Sequence, residues 1–500
     1  MTTAAPSSIW TQPLRPATVA LITTIALSAF EGLAVAAAIP DITAELGRVS
    51  LTSWLLTGYF VSSTLATLAV GPIVDHRGIR STFRASLLVF IGASVACALS
   101  PTMPILIGAR VVQGLGGGAL ISVALAAVGL MYPEALRARQ YAAQSAVWGS
   151  MSVIGPAAAA LFISTIGWAG VFWINVPIGA WAWYLGSRSL PDGTTDRRPG
   201  QAGSDRSTVD LTGLALATAF IFGLIAALST ISPRTAVFAA ITAAIGAAWW
   251  VQAGRASRPL VQRSHVADNP YRLIGLTIGS AMAAAVALNL YLPIVVRGSL
   301  GRSEGAAAFS LLFFSLAWTV GAQITSRLLD HHPGPSVAIG GMIVLLAGTA
   351  AGALLGTEPD YAGLAVTSAV RGLGIGCVSI PYLTELQRWA VGRDFGRINA
   401  AHQFFRFVGL IVSIALVGSI MFFVVDNDTG DVEALRDLLA GQDRAVDDSL
   451  RVALASGYRW AQVAMSVVAA VALVLAVATR RWLAAHPDPT GTGDSGGLSR

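Results

Sequence analysis

Apolar residues fall in runs of about 20, the length a helix needs to cross a hydrocarbon core of about 30 Å. Short polar breaks divide them. The pattern predicts helices over 17–40, 51–73, 82–100, 103–129, 139–164 and 169–188, then 209–229 and 234–253, and finally 272–296, 305–328, 336–356, 361–386, 397–425 and 457–479. Alternation over about 10 residues, the mark of an outer-membrane barrel, is missing. In lipid only helices and closed barrels satisfy their backbone polar groups. The fold class expected is therefore an all-α polytopic membrane protein.

Composition agrees. Of the 500 residues, 54% are hydrophobic and 12% charged, against about 25% charged in soluble domains; mean hydropathy is +0.67. A net charge of +6 would suit nucleic-acid binding, but the charges sit in the breaks between helices, so no nucleic-acid partner is expected. All 32 basic residues are arginine, which suggests a GC-rich bacterial genome and a bacterial cytoplasmic membrane. With the N-terminus inside, 21 arginines face the cytoplasm, 8 the exterior and 3 the membrane. The positive-inside bias thus puts both termini in the cytoplasm. The first apolar stretch is too long for a cleaved signal and holds Glu31. Cys97 and Cys377 read as two unpaired, buried thiols. The tail from Pro487 reads as disordered. In the outer loop 426–448, which has eight acidic residues, Val432–Leu439 reads as a short amphipathic helix.

Two features recur along the chain. Gly71-Pro-Ile-Val-Asp75 is matched by Ser326-Arg-Leu-Leu-Asp330, and Gly114-Leu-Gly-Gly-Gly118 by Gly372-Leu-Gly-Ile-Gly376, at offsets of 255 and 258 residues. Transporters built from two homologous halves show such repeats. An offset near 257 spans eight helices rather than six, so two helices are inserted. The expected organisation is a six-helix bundle over 1–188, a cytoplasmic linker over 189–208, two extra helices over 209–253, a second six-helix bundle over 254–486 and a tail over 487–500.

The motifs carry a family resemblance. Phe30-Glu-Gly-Leu-Ala-Val-Ala-Ala-Ala-Ile-Pro-Asp-Ile42 lies in the first helix; Gly71, Asp75, Gly78 and Arg80 match a G-x-x-x-D-R-x-G-R-R loop after the second. Arg110-Val-Val-Gln-Gly-Leu-Gly116 matches R-x-x-Q-G-x-G in the fourth, Gly155-Pro156 stands in the fifth, and Trp168-Ala-Gly-Val-Phe-Trp-Ile-Asn-Val-Pro-Ile-Gly179 opens the sixth. Together they resemble the major facilitator superfamily, and within it the fourteen-helix drug:proton antiporters. Departures are His76 and Ile79 for basic residues, Ala159 and Ala160 for glycines, and Ala169-Gly170 for a basic-aromatic pair. The resemblance implies alternating access, proton-coupled efflux of lipophilic compounds, a cytoplasmic gate at Gly71, Asp75, Gly78 and Arg80, and an antiporter motif at Gly155 and Pro156.

Glu31 is the most informative residue, because an ionisable group inside a membrane marks a proton or substrate pathway or is held neutral by a neighbouring helix. Arg110, permanently charged, is its expected partner, with Gln113 one turn on; the resemblance places them at a cavity. Arg371, His402 and Arg406 form a candidate second polar site, with His402 expected to be solvated near the cytoplasmic end. Glu385 reads as a gate or interfacial charge. Trp54, Tyr59, Trp148, Asn289, Tyr291 and Gln323 are candidate cavity residues that could equally be packing. The glycine run at 114–118 has no strand before it and no lysine after it, so neither a P-loop nor ATP is expected. No catalytic constellation, metal ligand set or cofactor is expected. The partners expected are a small-molecule substrate, protons and the bilayer, and the chain is expected to act as a monomer. A dedicated transporter of a lipid, siderophore or nutrient, or a non-transporting membrane sensor, stays open as an alternative.

Overall fold

The structure, a computed structural model, describes residues 8–48, 51–52, 54–192, 210–228, 234–256, 259–389, 395–431, 435 and 446–486. Most of the Val432–Leu439 stretch, most of the linker and the tail from Pro487 lie outside the described residues.

The helices are α1 (Arg15–Leu46), α2 (Trp54–Arg77), α3 (Ile79–Ala98), α4 (Met103–Met131), α5 (Glu134–Ile166), α6 (Gly170–Trp173), α7 (Asn175–Ser189), α8 (Leu211–Leu228), α9 (Arg234–Arg255), α10 (Ser264–Ala267), α11 (Tyr271–Gly298), α12 (Glu304–Leu328), α13 (Gly334–Leu354), α14 (Tyr361–Arg388), α15 (Phe395–Thr429) and α16 (Asp448–Ala485). The described residues contain no strand. Among the described residues, eleven helices are long and apolar enough to cross a membrane, or twelve if α1, bent by 40° between Gly32 and Ala34, counts as one span. The remaining two predicted spans are shorter. The sixth is split at Ile174 into the four-residue α6 and the 15-residue α7, and the seventh is the short apolar α8.

Several helices run past the apolar stretch that announced them. α16 starts at Asp448 rather than 457, because the Asp447 carboxylate caps it, accepting the Leu450 N–H at 2.8 Å. A side-chain oxygen here meets one of the N–H groups that a helix start leaves open. α2 and α3 are joined by Gly78 alone, at φ +84°, a conformation costly for any residue with a Cβ.

α1–α5 and α7 form one bundle and α11–α16 another, while α8 and α9 pack on each other and reach α2 and α15. Trp249 of α9 meets Phe404 of α15 edge-on at 5.3 Å. The sequence repeat is visible as repeated packing. In the first bundle, Gly114 and Gly118 of α4 press on Tyr59 and Ser63 of α2, and Gly116 on Phe90 of α3; a Cβ on Gly116 would stand 2.7 Å from the Phe90 nitrogen. In the second, Gly372 and Gly376 of α14 press on Phe314 and Trp318 of α12, and Gly374 on Leu345 of α13, with a Cβ 2.6 Å from its nitrogen. Small residues let backbones close to this range where water gives no hydrophobic drive between helices.

Candidate functional site

The split of the sixth span places Asn175 at the first position of α7, beside Glu31 on α1. Asn175 donates to Glu31 Oε2 at 2.6 Å, and Arg110 of α4 donates through Nη1 to Glu31 Oε1 as an ion pair. Arg110 Nη1 also reaches Gln113 Oε1 at 2.7 Å, and its Nε reaches the Leu55 carbonyl at 3.1 Å. Gln113 in turn donates to Ser94 of α3 at 2.8 Å. The guanidinium carbon lies 4.3 Å from the Tyr59 ring centroid, a cation–π distance. Five helices therefore meet at one ion pair.

Both charged side chains are 0% exposed. This corrects the expectation that Glu31, Arg110 and Gln113 line a cavity: in this conformation they are sealed within the first bundle. The reason is the pairing itself, because desolvated charges persist when paired and hydrogen-bonded; Arg110 Nη2 and Asn175 Oδ1 are left without a partner. Sequence reasoning missed Asn175 and Ser94. Asn175 was within reach, as the one amide of the Trp168–Gly179 motif.

The gate candidates gather where α2, α12 and α14 end, the arginine-rich end. Asp75 crosses between the bundles. Its Oδ1 accepts the Gly396 N–H at 3.0 Å and its Oδ2 the Arg397 N–H at 3.2 Å, at the start of α15. Gly71 makes this approach possible, since a Cβ there would lie 2.8 Å from the Gly396 carbonyl carbon. The repeat partner Asp330 is bonded to Arg139 of α5 at 2.9 Å. Arg388 joins Glu134 of α5 to Glu385 at 3.0 Å on its own helix, so Glu385 belongs to an inter-bundle ion network. Gln387 donates to Tyr141 at 2.6 Å, Gln323 to the Ala142 carbonyl at 2.8 Å, and Thr319 to the Ser145 carbonyl at 3.0 Å. Arg80 stays within its own bundle, bonded to the Leu190 carbonyl and Asp192 past the end of α7. Every inter-bundle bond named here lies in the same half of the molecule. That end is closed.

The second polar site does not assemble as one cluster. Arg371, 1% exposed, reaches Gln462 at 3.4 Å and Tyr458 at 3.5 Å on α16, whereas Arg406 bonds Gln403 at 2.9 Å on α15. His402 is buried, not solvated, because Tyr271, Leu386 and Phe405 close over the small pocket that it lines. Among the other candidates, Asn289 accepts from Ser368 at 3.1 Å, Tyr291 donates to the Ile414 carbonyl at 3.2 Å, and Trp54 and Trp148 are exposed. Gly155 is buried and Pro156 lies inside α5. Cys97 and Cys377 are unpaired.

Two pseudo-repeated bundles of apolar, membrane-length helices, closed at one end by charge pairs and with an ion pair buried inside one of them, define a polytopic membrane transporter. The sequence pattern of the Major Facilitator Superfamily matches residues 19–414, and the chain belongs to that family. It is 28% identical over 417 residues to the multidrug transporter protein MdtP of Bacillus subtilis, covering 80% of this chain and 74% of that one. It is 27% identical over 461 residues to a probable actinorhodin transporter of Streptomyces coelicolor, covering 85% and 77%. The fold matches the crystal structure of the human organic anion transporter MFSD10 with a TM-score of 0.64 at 13% identity, over 93% of this chain and all of that one.

Proposed function

We propose that the chain is a proton-driven antiporter exporting lipophilic or amphipathic compounds, drugs among them, from the bacterial cytoplasm. In this reading it works as a monomer with fourteen spans, six plus two plus six, and the short α7 and α8 complete the count. Its termini and arginine-rich end are cytoplasmic, so the conformation described is closed to the cytoplasm. The relative named as a multidrug transporter supports the substrate class.

The observation that carries the reading is the Glu31–Arg110 pair. A proton on Glu31 cancels the charge that balances Arg110, and loss of one partner of a buried pair is worth about 3–5 kcal/mol. Conformations a few kcal/mol apart exchange dominance under a bias of that size. Entry of a proton from outside thus changes the stability of the first bundle's packing. The closed end, held by Asp75 on α15 and by the Arg139–Asp330 and Arg388–Glu134 pairs, is the bistable element that the bias acts on. Trp54 and Trp148 are candidates for contact with an amphipathic substrate.

Cells expressing the chain and preloaded with a lipophilic cationic dye are expected to extrude it when energised, and to stop when a protonophore is added. Extrusion that survives the protonophore would refute proton coupling. A second reading, export of one dedicated metabolite, is favoured by the relative named as a probable actinorhodin transporter; it predicts that a panel of unrelated dyes is not extruded.

A further inference from the structure

The repeat offset of 258 residues that carries Gly114 onto Gly372 also carries Glu31 onto Asn289, Arg110 onto Ser368 and Gln113 onto Arg371. The second bundle therefore repeats the polar node of the first with its charges rearranged. Where the first has an ion pair, the second has a neutral bond, Ser368 donating to Asn289 at 3.1 Å. The only charge of this second node stands one turn further along α14, at Arg371.

That guanidinium is 1% exposed and forms no ion pair among the described residues. Its two partners are neutral and long, Gln462 Oε1 at 3.4 Å and Tyr458 OH at 3.5 Å, beyond the 2.7–3.2 Å of ordinary N–H···O bonds. Its Nε has no partner. The Tyr458 hydroxyl is itself held by donating to the Leu288 carbonyl at 2.9 Å. Gly348 and Gly352 of α13 pack directly on this pair, since a Cβ on Gly348 would lie 3.0 Å from Arg371 Cγ and one on Gly352 2.6 Å from the Gln462 amide carbon. A buried cation is expected to be paired, and an arginine inside a membrane that is not paired marks a ligand path.

We propose that Arg371 is the centre of an anion site within the second bundle, taking a single carboxylate, phenolate or halide. The anion replaces the two long contacts with charge-assisted bonds to the guanidinium, of about 2.7–2.9 Å, and Gln462 supplies a further donor through its amide nitrogen. The inference does not depend on the direction of transport or on proton coupling.

The test is thermal unfolding of the purified, detergent-solubilised protein in sodium methanesulfonate buffer, whose anion is none of the three, titrated at constant ionic strength with sodium chloride or sodium benzoate. The midpoint of the wild type is expected to rise and saturate with at least one of them, and Arg371→Gln is expected to lose that rise. Saturation by chloride alone assigns the site to an inorganic anion, and saturation by benzoate alone to the carboxylate of an organic ligand. Should Arg371→Gln fail to fold, Gln462→Met keeps the charge and is expected to bind about three- to tenfold more weakly. Absence of a saturable rise in the wild type, or an undiminished rise in Arg371→Gln, would overturn the proposal. Dye extrusion by cells is measured separately, so the efflux reading stands or falls apart from this result.

Discussion

The Asp75 carboxylate accepts the Gly396 N–H at 3.0 Å across the boundary between the two bundles. A residue at the tip of α2 thereby caps the first turn of α15, where the peptide dipoles leave partial positive charge. The contact can exist only while this end is closed.

Replacing Asp75 by Asn removes the charge and keeps the shape. A carboxylate at a helix start contributes about 0.3–1 kcal/mol, and up to about 2 when partly buried, so the ratio of closed to open molecules should fall roughly fivefold. Pulsed-EPR distances between spin labels at Ser81 and His332, in a background without cysteine, should show a larger long-distance population. An unchanged distribution would mean that the cap does not set the conformation.

The pair formed by Arg139 and Asp330 should behave as a reciprocal lock. Exposed pairs contribute about 0–1 kcal/mol, so Arg139→Asp and Asp330→Arg should each shift the same distance distribution slightly, and together restore it. About 1 M salt, with a screening length of about 3 Å, should erase the difference. Failure of the double swap to restore the distribution would remove this pair from the closing elements.

Gly118→Ala should destabilise the protein by about 1–3 kcal/mol, the usual cost of overpacking, because a Cβ there would lie 2.7 Å from Ser63 Cα. Gly108, on the same helix, has no atom within 4 Å of its Cβ position, and Gly108→Ala is the control. Equal unfolding midpoints for the two alanine variants would show that the α2–α4 contact is looser than described.

Asn175→Leu strands one oxygen of Glu31 without a donor, at a cost of about 1–3 kcal/mol. Combined with Glu31→Leu, the two losses should be less than additive by about 0.5–3 kcal/mol, as read from denaturant unfolding. Strict additivity would indicate that the two side chains do not interact.

Much of this was legible because lipid leaves the chain few choices. The apolar runs located the long helices, and the glycine spacing revealed a repeat that the packing of Gly116 on Phe90 and Gly374 on Leu345 makes physical. Glu31 and Arg110 could be paired in advance because each is expensive alone in a membrane. Ser94 was harder to find, since a neutral hydroxyl carries a smaller penalty than a charge and gives little signal until a charge is placed beside it; Asn175 stood out only as the one amide of its motif. The burial of His402 was misread because position along a helix does not reveal which face a neighbouring helix covers. Helix ends such as Asp447 were misplaced because the apolar pattern reports the membrane, not the helix.

The most direct test of the account is proton movement in proteoliposomes under an imposed pH gradient, comparing wild type with Glu31→Gln at equal reconstitution. The account predicts that an exported compound drives proton flux through the wild type, and that Glu31→Gln abolishes the flux while still binding the compound. Proton flux through Glu31→Gln equal to that of the wild type would contradict it, and would leave the Glu31–Arg110 pair as a structural tie between helices.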